Sequence, residues 1–247
     1  MDGEVSKIVL LVTIGLVAGF INVMAGGGST LTLPILIFLG LGGSMANGTN
    51  RVAIFIQNIF AVWGFHQEKE SYFKQSLKFS LFTLPGVIIG AFVAIHISDE
   101  LFRRILSLVI ILVIVSLFMP RPSRKAQASR AATFWLYLSL FGIGFYGGFI
   151  QAGVGFLLMA VLFHLGKFSL VQVNAHKVFI VLIYMVPALV IFALSGNIDW
   201  VYGLTLAVGN AGGGWIAARL SVRRGETFIR IVLGVALLIM AYKLVTG

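Results

Sequence analysis

Two glycine-rich stretches decide the fold: GLVAGFINVMAGGG at 15–28 and GFYGGFIQAGVG at 144–155. When a gap of two residues is allowed in the second stretch, the two align through a shared G-F-I, a carboxamide residue and an A-G-x-G. An asparagine follows nineteen positions after the last glycine of each stretch, at Asn47 and at Asn174. The chain therefore contains an internal repeat.

The composition is that of a membrane protein. Of the 247 residues, 59% are apolar and 11% are charged, whereas a soluble domain is about half apolar and about a quarter charged. A soluble enzyme, a nucleic-acid-binding domain and a disordered protein are therefore excluded. The net charge of +10 comes from Lys and Arg that stand mostly in short patches between apolar runs. The sequence has no cysteine, which excludes disulfides and thiolate metal sites.

The apolar runs predict an all-α polytopic membrane protein. Most of them approach the roughly 20 residues that a helix needs to cross a bilayer. The second and seventh are shorter and suit half-helices or re-entrant segments, so we expect eight to ten transmembrane helices. The segments are 7–24, 29–41, 48–65, 77–97, 101–119, 131–149, 153–166, 171–195, 200–218 and 227–245.

Charge predicts the orientation of these segments. The stretch 120–130 has four basic residues and no acid, so it should be a cytoplasmic linker between the halves 1–119 and 131–247. Ten crossings place Asp99, Asp199 and both termini outside, and they place inside Lys69, Lys74, Lys78, Arg219, Arg223 and Arg224. If the two short segments do not cross, the N-terminus lies inside instead. The acids before the first apolar run argue against a signal peptide, so the first helix should be retained.

Five crossings in each half give the two copies opposite orientations. Inverted repeats with interrupted helices are the architecture of many secondary transporters, which bind substrate near the membrane midplane at the repeat interface. Glycines spaced by four recur in both halves and suit close helix packing in lipid; a homodimer interface is the alternative. These glycines are Gly15/Gly19, Gly86/Gly90, Gly144/Gly148 and Gly209/Gly213.

The charges inside the apolar segments are basic. Arg51 and Lys177 occupy nearly equivalent places in the two halves, whereas every acid lies at a segment end or in a connection. An intramembrane charge costs about 3 kcal/mol or more, so it indicates function unless the side chain snorkels to water. The lack of a buried acid argues against a cation carrier. The usual motifs of proteases, hydrolases and ATP-driven pumps are also absent.

These features predict a binding site for a small oxyanion. Glycine-rich backbone that opens a helix presents free N–H groups to an anion, although the same glycines could serve only to break the helices. The candidates are Gly27, Gly28, Ser29, Asn47, Thr49, Asn50 and Arg51 in the first half, and Gln151, Gly153, Gly155, Asn174, His176 and Lys177 in the second. Gln57 and Asn58 could line the same cavity, and His176 could carry a proton. No metal or other cofactor is implied.

The sequence resembles one known family. AGFINVMAGGGSTLTLPIL at 18–36, ANGTNRVA at 46–53 and the weaker copy GGFIQAGVGFLLMAVL at 147–162 are similar to the sulfite exporter TauE/SafE family of membrane permeases. The resemblance covers nearly the whole chain. It implies transport of sulfite or organosulfonates across the bacterial inner membrane. Ala175-His176-Lys177 departs from the family pattern, which often has a Gly-Thr-like copy of the first cluster at this place.

We therefore expect a secondary transporter, a permease that carries a small sulfur oxyanion by alternating access. An anion channel would use the same cations, and flux separates the two: a carrier saturates and shows counterflow, whereas a channel gives large unitary currents. A membrane enzyme or assembly factor acting on lipid is a third alternative, which the lack of a catalytic constellation opposes. The coupling ion and the direction of transport stay open.

Overall fold

The computed structural model describes residues 2–116 and 130–246, which form helices joined by short connections. Of the predicted linker 120–130, only Arg130 lies within these residues, as the first residue of α6. The helices are α1 Asp2–Met24, α2 Ser29–Phe38, α3 Gly43–Gln67, α4 Phe73–His96, α5 Asp99–Ser116, α6 Arg130–Phe149, α7 Val154–His164, α8 Leu170–Leu194 and α9 Trp200–Thr246.

The predicted all-α architecture is confirmed for the described residues, and each apolar segment coincides with a helix within a few residues. Two boundaries differ. α3 begins at Gly43, whereas the predicted apolar segment began at 48. Hydropathy missed the first turns of the helix because they contain polar side chains, such as that of Asn47, which the fold buries. The predicted segments 200–218 and 227–245 both lie in α9, which continues past 218 and includes Arg219. Only Gly225, with φ 68° and ψ −166°, interrupts it.

Ion pairs and hydrogen bonds join distant connections at one end of the bundle. Glu68 accepts hydrogen bonds from Nε of Arg219 at 2.9 Å and from Nε of Arg223 at 2.8 Å. The backbone N–H of Leu170 donates to Glu226 at 3.0 Å. The connections 68–72 and 165–169 and residues 219–226 of α9 thus meet, and we name this place the Glu68 end.

Similar contacts define the opposite end, which we name the Asp199 end. The backbone N–H of Asp199 donates to Oγ1 of Thr49 at 2.9 Å. The backbone N–H of Ser44 donates to Oδ1 of Asp99 at 3.3 Å. The connections 39–42, 97–98 and 195–199 therefore share this end, which is where α3 begins and α8 finishes.

Close helix packing builds two parallel pairs, α1 with the first part of α9 and α6 with α4. In both pairs, glycines spaced by four lie against backbone carbonyls of the partner, and the residue numbers rise together. Gly209 and Gly213 lie against Val12 and Leu16, and Gly86 and Gly90 lie against Phe141 and Phe145. The predicted packing role of these glycines is confirmed. α3 packs against α9, α8 packs against α4, and α3 and α8 also contact each other.

α1 and α6 each end in a glycine-rich break, and the two breaks touch inside the bundle. A methyl group on Gly155 would overlap the backbone of Gly26, and a methyl group on Gly26 would overlap that of Gly155. Gly26 and Gly153 have left-handed backbone, with φ of 93° and 75°, which glycine adopts without strain. The breaks therefore pack backbone against backbone, which only glycine permits.

The short helices α2 and α7 lead from the breaks to opposite ends. Gly42, just after α2, lies beside Asp99 at the Asp199 end, and the chain after α7 reaches Leu170 at the Glu68 end. With ten and eleven residues, the two helices are about 15–17 Å long at 1.5 Å per residue. Each covers about half of a hydrocarbon core of about 30 Å.

The helices have the length and surface of a membrane protein. Three of those described are long and apolar enough to cross a membrane: Glu4–Met24, Phe73–His96 and Leu170–Leu194. Shorter apolar helices cover Ser29–Phe38, Thr133–Phe149 and Val154–His164. Large apolar side chains point outward, with Leu81 57% and Val208 66% exposed, as expected for a surface in contact with lipid.

The contact between the breaks predicts the effect of a single methyl group. We expect Gly155→Ala to lower the thermal unfolding temperature markedly, because its Cβ would overlap the backbone of Gly26. Gly142→Ala is the matched control, since nothing lies within 4 Å of the Cβ it would add. That change should be neutral or slightly stabilising, because alanine favours a helix by about 1 kcal/mol over glycine. Equal unfolding temperatures for the two variants in detergent would contradict the observed packing.

The ion pairs at the Glu68 end predict a pH dependence. The hydrogen bond from Arg219, followed by that from Arg223, holds the pKa of Glu68 below its ordinary value of 4.5. The stabilisation is therefore complete above this ordinary value and is lost as the pH falls through the lower pKa of the folded state. Glu68→Gln should lower the unfolding temperature at pH 7, and the difference from the wild type should shrink below about pH 4. A difference that stays constant from pH 7 to pH 3 would oppose this account.

Candidate functional site

Arg51 holds the end of α6. Its side chain is fully buried, and Nη2 donates to the backbone carbonyl of Gly148 at 2.6 Å and to Oδ1 of Asn47 at 3.5 Å. Nδ2 of Asn47 donates to the next carbonyl, that of Phe149, at 2.8 Å. The guanidinium lies over the ring of Phe192, 4.6 Å from its centroid. A cation and an amide from the first half thus satisfy carbonyls that a helix end leaves without partners.

Lys177 holds the end of α1 in the same way. Its Nζ donates to the backbone carbonyl of Val23 at 2.7 Å and to Oδ1 of Asn174 at 2.8 Å. Nδ2 of Asn174 lies 3.5 Å from the carbonyl oxygen of Met24 and 3.4 Å from Oγ of Ser221. The cation and asparagine of the second half therefore bind the broken helix of the first half, as Arg51 and Asn47 bind that of the second.

The two cations lie at different depths. Arg51 is the ninth residue of α3, which begins at the Asp199 end, and Lys177 is the eighth residue of α8, which begins at the Glu68 end. At 1.5 Å per residue, each lies about 10–12 Å along its helix from opposite ends. The predicted residues therefore form two groups on opposite sides of the midplane rather than one cluster around a single site.

Other predicted residues of the first half make contacts within the fold. Oγ1 of Thr49 accepts a hydrogen bond from the backbone N–H of Asp199, which directly precedes α9. Oδ1 of Asn50 accepts a hydrogen bond from Oγ1 of Thr32 at 2.7 Å. Nδ2 of Asn50 and Nε and Nη1 of Arg51 are buried without a hydrogen-bond partner among the described residues. The structure therefore leaves unused donors beside Arg51.

The glycines at the start of α2 lie close to α1. Gly27 and Ser29 are buried, and the carbonyl of Gly27 accepts from Oγ1 of Thr30 at 2.6 Å. A methyl group on Gly28 would overlap the backbone of Ala18. Packing against α1 therefore accounts for Gly28, and its place at the start of α2 agrees with the predicted break.

A small polar cavity lies beside Lys177. Its volume is about 10 Å³, which is room for about one water molecule. Its lining comes from both halves, and every lining residue is buried except Asn22, which is half-buried. The lining residues are Asn22, Gln57, Asn58, Gln151, Gly155, Lys177, Val178 and Val181.

Hydrogen bonds orient the carboxamides of this cavity and leave one donor unused. Oε1 of Gln57 accepts from Nδ2 of Asn22 at 3.2 Å and from Nδ2 of Asn210 at 3.4 Å. Nε2 of Gln57 has no partner among the described residues, although the side chain is 1% exposed. Oε1 of Gln151 accepts from the hydroxyl of Tyr184 at 3.1 Å. Among these carboxamides, Nε2 of Gln57 is thus the buried donor that remains for a ligand.

The electrostatics of the cavity favour an anion. One ammonium and four carboxamides line it, and no carboxylate does. Hydrogen bonds from a charged donor to an anion are stronger than neutral ones, and a buried N–H without an acceptor costs about 1–3 kcal/mol. A small oxyanion would satisfy both Nζ of Lys177 and Nε2 of Gln57.

His176 does not face this cavity. Its Nδ1 lies 2.7 Å from Oγ of Ser76 on α4, and the ring is fully buried among aromatic side chains. Its neighbour Lys177 points to α1 instead. Gly153 supplies the left-handed break before α7. The structure therefore brings Gln151, Gly155, Lys177 and Asn174 together and places His176 on the other side of α8.

Sequence reasoning did not assign Asn22, Asn210 or Ser221 to a site. Asn22 aligns with Gln151 in the repeat, and both line the cavity, so the repeat carried the signal for it. Asn210 and Ser221 are buried polar residues in a long, largely apolar helix. Their pattern alone does not distinguish them from residues that only join helices.

Comparison with known proteins identifies the class and the family. A polar, cation-containing cavity between broken helices in an apolar bundle is an arrangement typical of membrane transporters. The chain matches the family model for sulfite exporter TauE/SafE over residues 11–244, and it belongs to that family. No solved structure matches it.

Several curated relatives are similar over nearly the whole chain. A probable membrane transporter protein of Haemophilus influenzae is 26% identical over 248 residues, which cover 99% of this chain and 97% of that protein. Probable membrane transporter protein YfcA of Escherichia coli K12 is 28% identical over 238 residues, covering 95% and 88%. YunE of Bacillus subtilis, also named a probable membrane transporter protein, is 26% identical over 264 residues, covering 96% and 97%. Family and relatives thus indicate a membrane transporter and not an enzyme.

The contacts of Lys177 predict a loss of stability when its charge is removed. Lys177→Met keeps an unbranched apolar side chain but leaves the carbonyl of Val23 and Oδ1 of Asn174 without their donor. We expect the free energy of unfolding to fall by about 1–3 kcal/mol. Lys74→Met, at an exposed position of α4, is the control and should change little. Unfolding in detergent by a chemical denaturant measures both, and an unchanged Lys177→Met variant would contradict the capping role.

Proposed function

We propose that this protein is a secondary transporter that carries small sulfur oxyanions, such as sulfite or organosulfonates, across the bacterial inner membrane by alternating access. The observation that carries the proposal is the buried cavity beside Lys177, in which an ammonium and carboxamide donors converge without an acid. The family is named for sulfite export, which supports the sulfur oxyanion as the substrate class. The relatives' names support transport and specify no substrate.

The proposal includes an inverted repeat. In each half a long helix, a glycine break, a short helix and a 25-residue helix follow one another. The short helices lead to opposite ends, and the cation of each half binds the broken helix of the other. These exchanged contacts are those expected of two copies related by a two-fold axis in the membrane plane.

The Glu68 end is proposed to be cytoplasmic. Lys69, Arg219, Arg223 and Arg224 lie at or near it, whereas the acids Asp99 and Asp199 lie at the other end. Cytoplasmic connections carry an excess of Lys and Arg. In this orientation the N-terminus is outside, because α1 runs parallel to the first part of α9 from the Asp199 end. The chain then passes through the membrane several times.

As part of this proposal, we infer an occluded state from the small size of the cavity. A volume of about 10 Å³ holds one water molecule, and an oxyanion with several heavy atoms is larger. Binding must therefore move the breaks apart or shift α8 against α3. Since Lys177 and Arg51 join the two halves at different depths, exchanging these contacts one at a time would open the site to one side and then to the other.

An anion channel is the alternative function, because the same donors would line its pore. Counterflow in proteoliposomes separates the two. A carrier loaded with unlabelled sulfite should accelerate the entry of labelled sulfite and should saturate. Unitary currents without counterflow would favour the channel.

Gln57 offers a direct test of the anion site. Gln57→Glu keeps the shape of the side chain and an oxygen for Asn22 and Asn210, but it replaces the unused N–H donor with a charged oxygen. We expect this variant to fold and to lose anion binding. For the wild type, a ligand at about a hundred times its Kd stabilises the folded state by roughly 2.7 kcal/mol. The measurement is the shift of the unfolding temperature with sulfite, thiosulfate, sulfate, sulfoacetate, sulfolactate and chloride.

Gln75→Glu, at an exposed position of α4, is the matched control and should keep the ligand-induced shift. Stabilisation by a sulfur oxyanion in the wild type and in this control, but not in Gln57→Glu, would support both the substrate class and the cavity. An unaltered shift in Gln57→Glu would place the anion elsewhere. Arg51→Gln is less informative, because it also removes the donor for the carbonyl of Gly148.

A further inference from the structure

His176 lies in an aromatic cage on the α4 side of α8. Its ring centroid is 4.5 Å from that of Phe168, 5.1 Å from that of Tyr72 and 5.5 Å from that of Phe79. The residue is fully buried, and Nε2 has no partner among the described residues. The ring is therefore enclosed by aromatic side chains, and its polar contact among the described residues is with Ser76.

A second small cavity lies between Ser76 and the connection 68–72 at the Glu68 end. Its volume is about 10 Å³, and Glu70, Tyr72 and Ser76 are its polar lining residues together with Ser71. It has room for about one water molecule. The hydroxyl of Tyr72 donates to the carboxylate of Glu70, and Oγ of Ser76 lies 2.7 Å from Nδ1 of the imidazole. Polar side chains of Glu70, Tyr72 and Ser76 thus lie between the connection 68–72 and the buried imidazole of His176.

We propose that His176 is a proton-binding site, loaded from the Glu68 end through Glu70, one water molecule and Ser76, and coupled to anion binding at Lys177. In the transfer, Nδ1 takes the hydroxyl proton of Ser76 while that oxygen takes a proton from the water. The water is restored by a proton from Glu70, which is replenished from bulk solution. One proton enters, and the ring gains one positive charge.

Coupling to the anion follows from the position of His176 next to Lys177 in α8. A proton on the ring adds a second positive charge within one residue of the ammonium that lines the anion cavity. An anion in that cavity offsets the repulsion between the two cations, so the anion and the proton each favour binding of the other. This inference rests on the proposed function and makes the protein a carrier that moves a proton and an anion in the same direction.

The other titratable groups near this face of α8 have different surroundings. Tyr72 contacts the ring directly. Glu70 lies in the connection 68–72. His66 lies in the last turn of α3, and its Nδ1 forms a hydrogen bond with Oγ of Ser71. Further groups on elements packed against α8 are Lys74 and Lys78 on α4, Tyr137 on α6, His164 on α7 and Glu226 on α9. Among the described histidines, His176 is the fully buried one.

The test compares anion binding at two pH values. Methanesulfonate is the probe, because its charge is the same at pH 6 and at pH 8. The Kd of the wild type should be at least about fivefold lower at pH 6, the lower bound of a typical coupling between two sites. His176→Gln should lose this dependence, since its amide cannot take up a proton. His96→Gln removes an exposed histidine at the other end and should retain it.

The outcomes separate this inference from the proposed function. Equal Kd values at both pH values in the wild type, or a retained dependence in His176→Gln, would overturn the coupling and leave anion transport standing. Failure of every sulfur oxyanion to bind would overturn the proposed function instead. In that case, spectra of ¹⁵N-labelled histidine, assigned by their loss in His176→Gln, decide the proton site. A ring that stays in one protonation state from pH 5 to pH 9 would refute it.

Discussion

The structure depends on how two helices can end inside a membrane. α1 and α6 stop at glycine breaks that touch within the bundle, so their last carbonyls face protein rather than water. In hydrocarbon, each unsatisfied backbone group costs several kcal/mol. Lys177 and Asn174 satisfy the end of α1, and Arg51 and Asn47 satisfy that of α6. Because each set belongs to the other half of the chain, each broken helix depends on the opposite half for these contacts.

The contacts between each cation and the broken helix of the opposite half also bear on the proposed transport. An ammonium has three donors, and two of those of Lys177 are used by the carbonyl of Val23 and by Asn174. Lys177 lines the cavity together with Gln57, whose Nε2 is unpaired among the described residues. A bound oxyanion would compete with the carbonyl of Val23 for the same cation. Ligand binding would then weaken the contact that fixes the end of α1, which links occupancy of the cavity to movement of the break.

Much of the fold could be predicted from the sequence, and less of the site. Hydropathy located the helices, and the repeat paired Arg51 with Lys177 and Asn22 with Gln151, because these depend only on position along a helix. The division of the cations between two depths could not be predicted, since it depends on the ends from which α3 and α8 start. The same applies to Thr49 and His176, whose partners Asp199 and Ser76 lie in distant parts of the chain. The spacing of residues in the sequence determines on which face of a helix a side chain lies, but not which other part of the chain that face contacts.

The two charges call for an explanation beyond capping. Asn47 and Asn174 already donate to carbonyls at the broken ends, and a further neutral amide could serve the others. Cations inside membrane helices are costly and rare, and no described carboxylate contacts Arg51 or Lys177 to offset their charge. The hydrogen bonds of Arg51 leave Nε and Nη1 unused, and Lys177 lines a cavity of amides. The proposed anionic substrate would supply a counter-charge beside Lys177, which a neutral solute could not do.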